Sequence, residues 1–240
     1  MAAGMGIIEV REFNVMYQFV TGPLLWLSFL VFIVGSITRV VLYIRGLNWK
    51  LDRVTYRVNT SYGVKGALKS ILFWLTPFGS RNWRVKPVFT VLFFAFHLGL
   101  VITPLFLVAH AVLLKERWGL GWPTIPNALA DALTITVIVT GLMLFVRRLI
   151  RPEVRILSTL QDYLLLIVAM APFITGLLAG QGGQNYQFWM IFHILAGELW
   201  LVAIPFTKLS HVVLFFCSRA QVGMDFGIKR GGMKGSGVVW

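Results

Sequence analysis

The chain has a single cysteine, Cys217, among 240 residues. One thiol cannot close an internal disulfide, supply a CxxCH haem attachment, or hold an iron–sulfur cluster alone. Charge is also scarce: Asp, Glu, Lys and Arg make up 13% of the chain against 58% hydrophobic residues. An average soluble domain carries about 25% charged residues, so a soluble globule is excluded. Acidic residues are fewest, 9 against 22 basic ones. Histidines number only four. Any redox centre owned by this chain must therefore use histidine, the commonest side-chain metal ligand in its neutral form.

What the chain has in abundance is long apolar runs. Five are long enough to span a bilayer, which takes about 20 mainly apolar residues: 19–44, 87–114, 129–146, 156–178 and 188–216. The expected fold is an all-α membrane protein, a five-transmembrane-helix bundle forming one membrane domain over 1–240. The first run is too long for a signal-peptide core and follows Glu9, Arg11 and Glu12 rather than a basic segment, so it is expected to stay as an anchor.

A net charge of +13 in a soluble protein would point to nucleic acid. In a membrane protein, short cytoplasmic loops collect Lys and Arg, and the distribution here follows that rule. Between the first two runs lie Arg45, Lys50, Arg53, Arg57, Lys65, Lys69, Arg81, Arg84 and Lys86 against Asp52 alone. The link over 147–155 holds four arginines, and the tail after the fifth run holds Arg219, Lys229, Arg230 and Lys234. The amino terminus, the balanced link over 115–131 and the uncharged link over 181–187 lie on the other side. The reading is a periplasmic amino terminus, a cytoplasmic carboxyl terminus, and multi-pass insertion in a bacterial inner membrane, with no nucleic acid partner. The cytoplasmic loop 45–86 is too long for a simple connection. Its segment 63–76 sets Leu68, Ile71, Leu72 and Leu75 against Lys65, Lys69 and Ser70, as a helix lying on membrane lipid would.

All four histidines, His97, His110, His193 and His211, fall in the second and fifth runs, two in each. Random placement would do this with a chance below about one per cent, and an ionisable side chain at membrane depth marks a functional site by default. The two runs are antiparallel. At 1.5 Å per residue His97 stands about 15 Å above Lys86, so depth pairs His110 with His193 near the outer surface and His97 with His211 in the inner half. A zinc or copper site would bring its ligands to one depth; two depths suit two planar haems, each iron clamped between two helices. For a single histidine an interhelical hydrogen bond would suffice, but four paired by depth favour ligation.

Spacing refines this. His193 and His211 are eighteen residues apart, five turns of a continuous helix, and so share one face with Gly197, Trp200, Ile204 and Lys208. Gly197 would leave room for a flat macrocycle. His97 and His110 are thirteen apart and stand about 140° off each other on a straight helix; Pro104 between them could kink the axis, as could Pro205 in the fifth run. Arg39 and Lys208 could pair with propionates of the inner haem or snorkel to the interface. Glu198 and Asp162 could relay protons or bind a quinone, or make local hydrogen bonds.

On the second-run pair His97 and His110, the fifth-run pair His193 and His211, and the topology, the chain resembles the gamma subunit of respiratory nitrate reductase, a five-span dihaem cytochrome b. The resemblance covers nearly the whole length. By its size and large basic inner loop the chain is most similar to the cytochrome b subunits of the transmembrane redox complexes of sulfate reducers (the Tmc, Hmc and Dsr types). The resemblance implies two b haems, His110 with His193 on the outer and His97 with His211 on the inner. It implies electron transfer between a quinone pool, such as menaquinone, or a periplasmic multihaem cytochrome c and a cytoplasmic iron–sulfur (heterodisulfide reductase-like) subunit. Such a chain would be no enzyme alone. Its His97–His110 spacing is wider than in the nitrate reductase subunit, and Asp131 stands where that subunit has a lysine near its outer quinol site. An outer quinone pocket beside His110, lined by Lys115 and Asp131, is the corresponding expectation. The rival expectation is a histidine-dependent proton or metal transporter or channel. Inverted repeats would support it, and none is visible in five runs that cannot divide into equal halves.

Overall fold

The computed structural model describes residues 2–47, 60–183 and 185–226, with side chains from residue 11 onward. Lys50, Asp52, Arg53, Arg57, Gln184, Lys229, Arg230 and Lys234 lie outside the described residues. Everything described is helix or connection, with no strand: α1 (Ala2–Phe19), a π turn (Val20–Leu24), α2 (Leu25–Arg45), α3 (Thr60–Leu75), α4 (Arg81–Val85), α5 (Pro87–Phe106), α6 (Val108–Trp118), α7 (Asn127–Ile150), α8 (Pro152–Arg155), α9 (Leu160–Gly180), α10 (Tyr186–Phe206), a 3-10 turn (Lys208–Ser210) and α11 (His211–Phe226).

Five segments among the described residues are long and apolar enough to cross a membrane: Arg11–Arg45, Pro87–Phe106, Asn127–Ile150, Leu160–Gly180 and Tyr186–Phe206. Between 11% and 28% of each apolar window is buried against the rest of the chain. Most of each apolar surface therefore faces outward, as with Leu30, Ile33, Ile37 and Leu42 on α2, all at least half exposed. Apolar surface on this scale needs an apolar surround. Hydroxyls within these helices are satisfied by the helix itself, Thr134, Thr136 and Thr140 donating to the carbonyls of Ala130, Ala132 and Thr136 at 2.6–2.8 Å.

Contacts divide the chain into two compact units, Met1–Val31 with Leu92–Ala203, and Phe32–Val91 with Ile204–Trp240. The first unit has a core of Phe96, Leu100, Val137, Ala169, Met170 and Phe173, with Trp200 packed on it. Small residues set its spacing. A Cβ on Gly99 would stand 2.5 Å from Val137, and one on Gly141 would stand 2.4 Å from the Met170 sulfur. Close approach of this kind is how helices associate where lipid supplies no hydrophobic drive.

In the second unit α3 lies against α11. Gly66 and Gly223 meet backbone to backbone: a Cβ on either would fall 2.3–2.4 Å from the other's carbonyl oxygen. Arg219 places its guanidinium over the Trp74 ring at 4.6 Å, and the Tyr43 hydroxyl donates to Gln221. The helix expected over 63–76 is thus present as α3, and it exposes Val64, Leu68, Leu72 and Leu75.

Two runs read as continuous helices are interrupted. The second, expected over 87–114, breaks at Leu107, whose backbone is extended (φ −65°, ψ 133°). The fifth, expected over 188–216, stops at Phe206; Thr207 is extended (φ −125°, ψ −173°) and its side chain caps the next turn by accepting from the Leu209 N–H. Pro205, which has no N–H to continue the ladder, precedes that stop. The eighteen-residue spacing therefore does not place His193 and His211 on one helical face. The helix that carries one is not the helix that carries the other.

Candidate functional site: a two-histidine centre

The break at Leu107 builds one half of the site. Ending α5 at Phe106 strands the carbonyls of Pro104, Leu105 and Phe106, which would have accepted from the next three amides of a continuous helix. Each finds another donor. The Leu105 oxygen takes the Trp122 indole N–H, the Phe106 oxygen takes the Ile125 amide at 2.9 Å, and the Pro104 oxygen takes the His110 ring at 2.9 Å through Nδ1. Gly119 in the left-handed region (φ 71°) closes α6 and starts the loop that delivers Trp122 and Ile125. The 140° offset expected between His97 and His110 on one helix has no meaning across this break.

His193, on α10, makes the other half. Its Nδ1 lies 2.8 Å from the Pro172 carbonyl oxygen on α9. Gly176, one turn along α9, is the wall of its seat: a Cβ there would stand 2.9 Å from both Cε1 and Nδ1 of the imidazole. Any side chain at 176 would displace the ring.

The two ring centroids lie 5.8 Å apart, with the ring planes 13° from parallel. A carbonyl oxygen can only accept, so the proton of each neutral ring sits on Nδ1 and each Nε2 keeps its lone pair. Neither Nε2 has a hydrogen-bond partner among the described residues. Orientation of an imidazole through its other nitrogen is the arrangement typical of metal-ligating histidines. The separation also fits. A metal held by both Nε2 atoms, at about 2.0–2.1 Å from each, would put the ring centres about 6 Å apart, close to the separation observed. No cluster of three or more His, Cys, Asp or Glu able to hold an ion occurs among the described residues. The pair would supply two nitrogen ligands from the described residues, so a metal held there would have to bring its remaining ligands with it.

The other sequence-predicted residues fall as follows. His97, half-buried on α5, has Nδ1 2.8 Å from the Phe93 oxygen and its ring 4.0 Å from the Phe93 ring. His211 is exposed at the start of α11, with Nδ1 2.9 Å from the Lys208 oxygen. All four histidines thus bond a backbone carbonyl through Nδ1. His97 belongs to the first unit and His211 to the second; their pairing rests on sequence depth. Arg39 donates to the Ser210 hydroxyl at 3.5 Å, and Lys208 is exposed. A Cβ on Gly197 would meet nothing within 4 Å, so open space lies there, as a bulky group would need.

Lys115 lines a cleft of about 570 Å³ with Val108, Ala111, Val112, Gly121, Trp122 and Thr124. Asp131 does not line it; it is exposed on the first turns of α7. Asp162 caps α9, its Oδ2 accepting from the Thr159 amide at 2.8 Å and the Thr159 hydroxyl at 2.9 Å. Sequence reading missed Gly176 and the two proline carbonyls. Gly176 carried one signal, its place one turn after Pro172 in an apolar helix.

No family model matches the sequence. The chain is 51% identical over 226 residues to a protein of Nitratidesulfovibrio vulgaris, an alignment that takes in 94% of this chain and the whole of the relative, and it belongs to the same family as that protein. The relative's name, "Protein", assigns no activity.

Proposed function

We propose that this chain is a membrane-embedded cytochrome b subunit that carries electrons across a bacterial inner membrane through two bis-histidine b haems. The observation that carries the reading is the His110–His193 pair, with near-parallel rings 5.8 Å apart at their centroids, both Nδ1 atoms tied to backbone and both Nε2 atoms without partners among the described residues. Haem b would take two histidine nitrogens from the protein, and His110 and His193 would supply them through Nε2. When bound, it supplies a reversible one-electron change at iron. His110 and His193 would hold the outer haem. His97 and His211 would hold the inner one, by the depth argument.

The chain's own groups do the rest. The Pro104 and Pro172 carbonyls hold the proton of each neutral imidazole on Nδ1, leave Nε2 as the ligating atom, and fix the ring plane. Gly176 gives the His193 ring its seat. The apolar core of Phe96, Phe173 and Trp200 lowers the local dielectric, which tunes the potential of a buried centre. The cleft at Lys115 is of a size that takes a small ligand, and an ammonium among apolar walls suits a quinone carbonyl. We assign the quinone, menaquinone for instance, to that cleft. The electron's other partners would be a periplasmic multihaem cytochrome c and a cytoplasmic iron–sulfur (heterodisulfide reductase-like) subunit. Orientation with the amino terminus outside follows from the distribution of Lys and Arg.

Purified protein should show b-type absorption bands on reduction, with two haems per chain. His193→Ala should remove the outer centre and spare the inner. Absence of b-type bands would reject the reading, and one haem per chain would reject its two-site form.

A further inference from the structure

Glu198 is the one fully buried acidic side chain among the described residues, 5% exposed, on α10 within the apolar span Tyr186–Phe206. Neither carboxylate oxygen has a hydrogen-bond partner among the described residues. Two arginines of this unit have partners of their own: Arg117 donates to Thr21 at 3.1 Å, and Arg148 to Ser158 at 3.0 Å beside Asp162 at 4.0 Å. The other ionisable groups on α5, α6, α7 and α9 in this unit are His97, His110, Asp162, Tyr163 and those of the end turns of α6 and α7. None forms an ion pair or hydrogen bond with Glu198. His193 stands five residues before it on the same helix, about 7.5 Å along the axis.

An isolated carboxylate in such a place is costly unless a positive charge lies near it. On the cytochrome reading, on which this inference rests, the His110–His193 centre carries a net positive charge when oxidised and loses it when one electron arrives. We propose that Glu198 is a proton-binding site coupled to that electron. One electron enters from a reductant, a quinol in the membrane or dithionite in the test. One proton from water adds to the Glu198 carboxylate, forming its O–H bond, and oxidation returns both. The proton leaves hydronium, whose O–H bond breaks to release water, and no further bond changes.

Infrared difference spectra of the haem-loaded protein, reduced with dithionite and reoxidised with ferricyanide, test this directly. Reduction should raise a protonated-carboxyl C=O band that moves in D2O, vanishes in Glu198→Gln and shifts in Glu198→Asp. In parallel, the midpoint potential of the outer centre should fall as pH rises in the wild type and lose that slope in Glu198→Gln. An identical band in wild type and Glu198→Gln overturns the assignment. Should Glu198→Gln fail to assemble, an unmoved band in Glu198→Asp does the same, and a wild-type midpoint independent of pH overturns it without any variant. Protein lacking b-type bands altogether overturns the cytochrome reading itself, a separately visible result.

Discussion

Gly176→Ala adds one methyl group at the back of the His193 ring, and its consequence can be worked from three distances. The new Cβ would stand 2.9 Å from Cε1 and 2.9 Å from Nδ1 of an imidazole whose Nδ1 is held 2.8 Å from the Pro172 oxygen. Ordinary carbon contacts begin near 3.5 Å, so the ring must move by several tenths of an ångström, and moving it loosens that hydrogen bond. Overpacking of this size costs about 1–3 kcal/mol, offset by about 1 kcal/mol from replacing glycine by alanine within a helix. The fold should survive. The centre should not survive unchanged, because loss of the bond that orients a ligating histidine lowers metal affinity about 10–100-fold. The assay is haem content with reduced-minus-oxidised spectra and a redox titration of the outer centre. Gly180→Ala, one turn along the same helix, is the control: its Cβ would meet nothing within 4 Å, so occupancy should stay at the wild-type level. Wild-type occupancy and potential in Gly176→Ala would refute the claim that this glycine seats the ligand.

Three further outcomes follow from the same geometry. Gly66→Ala would drive a Cβ to 2.4 Å from the Gly223 carbonyl oxygen, and since backbone cannot turn aside, α3 and α11 must part at a cost of about 1–3 kcal/mol; hydrogen exchange over 60–75 should rise, and unchanged protection would count against the packing. Lys115→Ala should slow reduction by added quinol while leaving reduction by dithionite intact; equal quinol rates would remove the quinone from that cleft. Asp162→Ala removes the cap that accepts from Thr159 at 2.8 and 2.9 Å, so the first turn of α9 should loosen by about 1 kcal/mol with the haem spectrum unaltered. A changed spectrum would show that Asp162 does more than cap.

Much of the fold can be read from hydropathy. Five apolar runs appear as five helices able to cross a membrane because a helix satisfies its own backbone, whatever its neighbours. Asn127–Ile150 and Leu160–Gly180 lie within a few residues of the runs that foretold them. Two interruptions were hidden. Leu107 is an ordinary apolar residue, and what holds it extended are carbonyl partners far along the chain, Trp122 for Leu105 and Ile125 for Phe106. The stop before Thr207 had visible local causes in Pro205 and a threonine able to cap, but apolar residues continue past it, so hydropathy runs through. Asp162 is open in the sequence to a functional role or a local hydrogen bond; the structure shows it accepting from Thr159, and Thr159 three residues earlier is the sign of a capping box.

The sequence by itself determined that the protein is helical and apolar enough to span a membrane, and that four histidines occupy the second and fifth apolar runs. Those properties depend on composition and order, which no packing arrangement can change. Tertiary structure alone decided which way His110 and His193 turn. A ring's plane and its protonated nitrogen depend on the acceptor beside Nδ1, and for His193 that acceptor is the carbonyl of Pro172, twenty-one residues away on another helix. For His110 it is a carbonyl freed only because the helix breaks. The positions of the histidines are written along the chain; the orientation of the His110 and His193 rings arises from how the helices break and meet.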